Sequence, residues 1–262
     1  MQLTFDADVE AFRREFVAFL DHHLPDEAAG MQRPRSCSHV PEWARRWQRL
    51  LFDNGWLLPG NPPEFGGRNA SLLQQYVYLE ELARRRIYRS FNPQGVGIIA
   101  ESLLSFGTEE QKRRWAVPIL RAEMTASLGM SEPGAGSDLA SLKTRAVLDG
   151  DHFVVNGQKV WTSGAHDADV LLTFVRTDPN ASKHKGLSVL LIPTDTPGCC
   201  DGRFRRYAAT TMSSSTRCSL PMCRYRPRIW WESSMEAGGW QPVRSATNVS
   251  CSGWDTQTSW AS

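Results

Sequence analysis

Two short segments carry residue types that could do chemistry. The first is Gly129-Met130-Ser131-Glu132-Pro133-Gly134-Ala135-Gly136-Ser137-Asp138, a strand end running into a turn. Its glycines let backbone N–H groups converge on an anion, and its serine hydroxyls add donors. No Gly-Lys-Ser/Thr follows, so it is not a nucleotide-hydrolase phosphate loop, and it is not the dinucleotide fingerprint either. The second is Asn156-Gly157-Gln158-Lys159-Val160-Trp161-Thr162-Ser163, at the end of another strand. A Trp beside two hydroxyl residues can pack on a flat ring while offering it hydrogen-bond donors. Taken alone, each segment has a plainer reading: a GxG turn, and a Trp filling a β-domain core.

The elements that must position them change type along the chain. Up to about residue 123 the pattern is helical. Val9, Phe12, Phe16 and Phe19-Leu20 recur at helical spacing, and Glu42 to Phe52 is a second amphipathic run. Leu72 to Ala83 is a third, with Leu72, Tyr76, Leu79 and Leu82 on its apolar face. Asn92-Pro93 looks like an N-cap with Pro in the first turn, opening a helix that runs to about Phe106. Thr108-Glu109-Glu110-Gln111 has the capping-box spacing. From about Thr125, short β-like runs replace helices. Lys143 to Leu148 and His152 to Val155 flank an Asp149-Gly150 hairpin turn, and Asn156-Gly157 reads as a second turn. Val170 to Arg176 and Gly186 to Ile192 are apolar strands. The expected class is α+β: an N-terminal all-α domain (1–123), then a small antiparallel β domain (124–198).

Composition removes other function classes. A net charge of +2 on 262 residues argues against a nucleic-acid or membrane-surface partner, and no run approaches the ~20 apolar residues of a membrane span. The acidic N-terminus is not a signal peptide, which points to the cytoplasm. Cys199, Cys200, Cys218, Cys223 and Cys251 all follow Gly198, with only Cys37 before it, and none has zinc-ligand spacing. His152, His166 and His184 fall in or near β-domain turns and read as ordinary polar residues.

The two segments, in this order, resemble the acyl-CoA dehydrogenase family. So do Gly55-Trp56 with Pro59, Pro63-Glu64 and Gly66-Gly67, then Gly107-Thr108-Glu109-Glu110-Gln111-Lys112, then Pro118-Ile119-Leu120. The likeness runs from about residue 5 to Gly198. It implies FAD as cofactor, with Leu128, Met130, Ser131, Gly136 and Ser137 along it and Trp161, Thr162 and Ser163 as the second flavin contact. Ser137 would also touch the acyl-CoA substrate. The implied reaction is α,β-desaturation of an acyl-CoA thioester, with electrons passing to an electron-transferring flavoprotein or similar acceptor. In the family a Glu in a C-terminal helical bundle takes the α-proton. Nothing here matches that bundle, so no catalytic residue is assigned, and neither Glu132 nor Glu64 is given the role. A full-length protein of this kind would be a homo- or hetero-oligomer.

The residues after Gly198 lack any such pattern. From Cys199 to Ser262 the aliphatic Leu, Ile and Val residues are only Leu220, Ile229, Val243 and Val249, and no helical or strand period survives. Such a segment (199–262) is expected to be disordered. It also fits DNA read in the wrong frame. Shifting by one base forces Val from Trp230-Trp231, Gly from Trp231-Glu232 and from Met235-Glu236, and Ala from Trp240-Gln241. With permitted codons, Pro221 to Pro242 then reads D-V-P-V-P-A-E-N-L-V-G-E-L-H-G-G-W-R-V-A-T, which resembles the family's approach to its bundle. The expectation is a frameshifted copy without the Glu base. Its rivals are a non-catalytic remnant or partner subunit of a complete paralogue, and a flavin monooxygenase or oxidase of the same fold.

Overall fold

Apolar residues at helical spacing bury one face of each early helix. In α1 (Ala7–His23) the buried residues are Val9, Phe12, Phe16 and Leu20, as the spacing predicts. Helix α2 (Glu42–Asp53) buries Ala44, Trp47, Gln48 and Leu51. The computed structural model describes residues 5–28, 39–150, 152–182, 184–196 and 199, and the backbone of 218–225, 230–236 and 239–245.

Helix α3 (Leu72–Arg85) opens on a reciprocal capping box between Ser71 and Gln74. Its buried face differs from the expected one. Val77, Tyr78, Glu81 and Leu82 face inward, whereas Leu72, Tyr76 and Leu79 are 83%, 53% and 52% exposed. Two apolar stripes compete on this helix, and the rings of Phe16 and Tyr78, 4.6 Å apart, decide which one is covered. A π-helical turn, Gly95–Ala100, leads into α4 (Glu101–Phe106). The predicted capping box opens α5 (Glu109–Gln111): Gln111 N–H donates to Thr108 Oγ1 and Thr108 N–H to Gln111 Oε1. A second π turn, Lys112–Ala116, joins α5 to α6 (Val117–Leu120).

The β region is one mixed sheet. Its strands are β1 (Ala126–Gly129), β2 (Arg145–Asp149), β3 (His152–Lys159), β4 (Val170–Arg176), β5 (Leu187–Pro193), β6 (Cys218–Tyr225), β7 (Trp230–Glu236) and β8 (Gly239–Ser245). The order is β6-β3-β2-β4-β5-β7-β8, with β1 also on β4. Most pairs are antiparallel, as expected, but β1 runs parallel to β4, and so does the single contact of β2 with β4. These parallel neighbours are sequence-distant segments, which no hairpin turn can announce. Asn156-Gly157 is not a turn. It lies inside β3, where the register with β6 shifts, and a side chain at 157 would collide with Thr144.

Strands β4 and β5 are buried on both faces. Val170, Leu172, Phe174, Leu187, Val189 and Leu191 join the core of the helices. Leu171, Val175, Leu190 and Ile192 join Ala146, Phe153, Val155 and Ala165 in a second core. The period-2 alternation of side chains thus sends each strand's residues into two different cores.

The absence of strand period after Gly198 does not carry over to the backbone, since β6, β7 and β8 lie there. Strand pairing is made by main-chain N–H and C=O groups, and β3 and β5 each offer a free edge as template. Cys37, Cys200, Cys251 and most of the segment 199–262 lie outside the described residues, and so does the expectation of disorder there.

Asn92 takes the predicted N-cap position before helical Pro93, its C=O accepting from the Val96 N–H at 3.0 Å, but its side chain does something else. Its Nδ2 donates to Ala126 O (2.8 Å) and its Oδ1 accepts from Ala126 N–H (3.0 Å). The side chain thereby closes the edge of β1 that faces away from β4. Gly95 is required beneath it, because a Cβ there would strike Asn92 Oδ1. Replacing Asn92 with Ala leaves both Ala126 groups unpaired. We expect a loss of roughly 1–3 kcal/mol of stability, read from urea unfolding.

Candidate functional site

Strand β1 delivers the first segment to the end of the sheet, and β3 delivers the second. Beyond β1, Glu132 and Ala135 exchange two backbone hydrogen bonds (2.7 and 3.2 Å), so Glu132-Pro133-Gly134-Ala135 forms a tight turn. Gly134 and Gly136 border open space. Beyond β3, Val160 N–H donates to Ser131 O at 2.9 Å, which lays the two segments side by side. Ser127 Oγ donates to Ser163 O at 2.9 Å and makes a second tie between them.

Between them lies a buried ion pair. Lys159 Nζ donates to Glu132 Oε1 (2.9 Å) and to Met130 O (3.1 Å). The side chains of Lys159 and Glu132 are 2% and 7% exposed. Glu132 also accepts from the Lys143 N–H (2.6 Å) and the Thr144 N–H (2.9 Å). Burial pushes the Glu132 carboxyl upward, but hydrogen bonds from Thr144, Lys143 and Lys159 outweigh it and hold the group below the usual carboxylate range. Burial pulls the Lys159 ammonium below its usual value, against the attraction of Glu132. A general base needs a raised pKa, whereas three donors hold that of Glu132 down. Glu64 is an exposed residue of the Pro63–Phe65 turn.

Trp161 stands on left-handed backbone (φ 60°) and is 66% exposed. A bulky residue at positive φ costs roughly 1–2 kcal/mol, a cost that concentrates at ligand clamps. Its neighbour Thr162 is fully buried, yet Thr162 Oγ1 has no hydrogen-bond partner. Ser163 is partly buried, and its N–H donates back to Trp161 O at 3.0 Å.

Of the sequence-predicted residues, Leu128, Met130 and Ser131 are partly buried, and Ser131 is tied to Val160 just before the Trp161–Ser163 run. The Leu128 N–H is received by Gln94 Oε1 at 3.4 Å. Gly136 and Ser137 are exposed, and no described hydrogen bond ties them to that run. Sequence reasoning missed Lys159. The signal was present: Lys159 is in phase with the inward-facing Phe153 and Val155 of β3, and a buried Lys requires a partner. It also missed Asp167, which anchors the turn after Ser163. His39 Nδ1 lies 3.0 Å from Asp167 Oδ1, the Val40 N–H donates to Asp167 Oδ2 (3.0 Å), and Thr125 Oγ1 donates to Asp167 O. His166 packs edge-on against His39 at 4.8 Å, and His152 is partly buried in β3.

Residues 6–123 match the family model described as acyl-CoA dehydrogenase, N-terminal domain, and residues 127–220 match acyl-CoA dehydrogenase, middle domain. The second match runs past Gly198 into β6. "Acyl-CoA dehydrogenase FadE29" of Mycobacterium tuberculosis is 43% identical over 175 residues, covering 66% of this chain and 43% of that protein. The solved "Tcur3481-Tcur3483 steroid ACAD" is 35% identical with TM-score 0.66, over 86% of this chain and 57% of that one. The ChsE4-ChsE5 complex from Mycobacterium tuberculosis is 32% identical with TM-score 0.65, over 86% of this chain and 56% of that one. A glutaryl-CoA dehydrogenase from Mycobacterium smegmatis in complex with FADH2 is 25% identical with TM-score 0.59, over 85% of this chain and 54% of that one. The chain spans about half the length of the curated relatives it matches.

The lowered Glu132 pKa fixes the sign of an acid dependence. Its stabilising contribution is complete above the unfolded carboxylate pKa of about 4.3 and is lost as pH falls through the lower folded value. In urea unfolding between pH 3 and 6, Glu132→Gln is expected to flatten that part of the pH profile relative to the unaltered chain.

Proposed function

The chain belongs to the acyl-CoA dehydrogenase family, and on that footing we propose that it holds the flavin and the thioester for an FAD-dependent α,β-desaturation of an acyl-CoA. The family is FAD-dependent. The observation that carries the reading for these residues is the pairing of an exposed Trp161 with an orphaned, buried Thr162 hydroxyl. A flat ring with polar atoms along its edge suits both. When bound, FAD supplies the acceptor for the β-hydrogen as hydride. Trp161 offers its face to the ring, and the Thr162 and Ser163 hydroxyls offer donors. Met130 and Ser131 line the same surface, and Leu128 and Gly136 flank it. Donors fixed in advance, in a site that excludes water, stabilise developing negative charge without reorganising. Ser137, exposed at the end of the turn, is the contact for the acyl-CoA.

We assign the removal of the α-proton to a Glu outside the described residues. Read in the displaced frame with permitted codons, the chain after Gly198 resembles family sequence leading toward such a residue, which supports this assignment. Resequencing the gene across the codons for Pro197 to Gly202 tests this. One base gained or lost there returns the family frame, and with it the Glu base, to the protein; an unchanged read leaves this chain without that base, so that the desaturation describes its ancestry rather than its activity.

A second reading concerns assembly. Leu72, Leu73, Tyr76 and Leu79 leave an apolar stripe of α3 uncovered, and one of the similar solved structures is a complex of two different polypeptides. In this reading the chain is one subunit of a hetero-oligomer and passes electrons to an electron-transferring flavoprotein or similar acceptor. Co-purification with a complete paralogue supports it, and a chain that remains alone when the two are co-expressed counts against it.

The flavin assignment makes a two-sided prediction. Thr162→Val removes an orphaned hydroxyl, so stability without FAD is expected to hold or rise. The same change is expected to weaken FAD binding by about 10-fold, read from flavin fluorescence quenching. Acyl-CoA-dependent dye reduction, with a steroid-linked thioester in the panel, tests the reaction. Oxygen consumption without an added acceptor would favour an oxidase instead.

A further inference from the structure

The flavin-contact surface is made of two segments about thirty residues apart in sequence, and three observations concern what holds them at one height. Lys159 Nζ reaches across to Met130 O and Glu132 Oε1, so one ammonium touches the main chain of the first segment and the acid of its turn. Glu132 in turn receives the N–H groups of Lys143 and Thr144, which fasten the far end of that turn to the start of β2. Two residues after Lys159 comes Trp161, in a backbone conformation that an unrestrained Trp would leave.

Hydrophobic packing restrains only the first segment, where Leu128 and Met130 pack against the helical core. Met130, Ser131 and Val160 are only partly buried, and Trp161 is exposed. Among the described residues, the other hydrogen bonds across the seam are the single ones from Val160 N–H and Ser127 Oγ. An ion pair with further hydrogen bonds on both partners is directional and rigid, unlike apolar packing.

We propose that Lys159, through Glu132 and the Met130 carbonyl, is a positioning residue that sets Met130–Ser131 and Trp161–Ser163 as a single surface. The proposal rests on the flavin reading for its consequence, but its structural part does not need the cofactor. Lys159 touches neither substrate nor flavin in this role. It acts through the two segments that do.

The test compares the 262-residue chain with Lys159→Met, Glu132→Gln and the double variant. Hydrogen exchange is followed by mass spectrometry without FAD, stability by urea, and FAD affinity by fluorescence quenching. Removing one partner strands a buried charge, so each single variant loses stability. The double variant strands none, and its stability should recover. A merely structural pair would recover everything along with it.

The positioning role predicts otherwise. In the double variant, amides of residues 131 and 160–163 should exchange faster by about tenfold, while those of β4 and β5 stay protected. FAD affinity should remain weak in the same variant, because Met cannot donate to Met130 O. Return of local protection and of affinity with stability would overturn the proposal. Faster exchange at the seam in a chain that binds no FAD even when unaltered would uphold the positioning role and overturn the flavin reading instead.

Discussion

The Lys159–Glu132 pair is the constraint on which the site depends. Moving two charges out of water is costly, and such a pair is tolerated only when each partner's remaining donors and acceptors are met. Here they are largely met by groups that matter. Met130 lends its carbonyl, and Lys143 and Thr144 lend their amides. The pair thereby converts electrostatic demand into geometry. Four points along the chain, at Met130, Glu132, Lys143–Thr144 and Lys159, are fixed relative to one another.

That seam has a rigid foundation. Strands β4 and β5, buried on both faces, join two cores and carry β1 on one flank. The other edge of β1 is closed by side chains from the helical region, with Asn92 on both Ala126 groups and Gln94 on Leu128. Helical and β parts therefore meet at the strand that delivers the Met130–Ser137 segment. The Asp167 contacts with His39 and Val40 make a second junction just past Trp161–Ser163. Both segments of the proposed flavin surface are thus held from two sides. This is what a surface needs if its donors are to sit in place before a ligand arrives.

Much of this was legible in the sequence. The spacing of Val9, Phe12, Phe16 and Leu20 gave the buried face of α1, and Thr108-Glu109-Glu110-Gln111 gave the capping box of α5. The apolar runs at β4 and β5 announced the central strands. The order of the motifs pointed to the family. What escaped depended on tertiary partners. α3 carries two apolar stripes, and only packing decides between them. Asn92 stands at the N-cap position as expected, but its side chain finds a strand edge rather than the helix amides. Asn156-Gly157 has turn chemistry, yet the need to clear Thr144 explains the glycine equally well. Lys159 looks like a surface residue until the phase of β3 is followed to its end. Parallel pairing of β1 with β4 leaves no local trace at all.

A structure of the chain determined with FAD would test the central claim most directly, through one distance. The account predicts the isoalloxazine against Trp161 and the Met130–Ser131 run, with Thr162 Oγ1 within ordinary hydrogen-bonding reach of the ring edge, about 2.7–3.2 Å. A ring bound elsewhere, or a Thr162 hydroxyl still without a partner beneath it, would contradict the account.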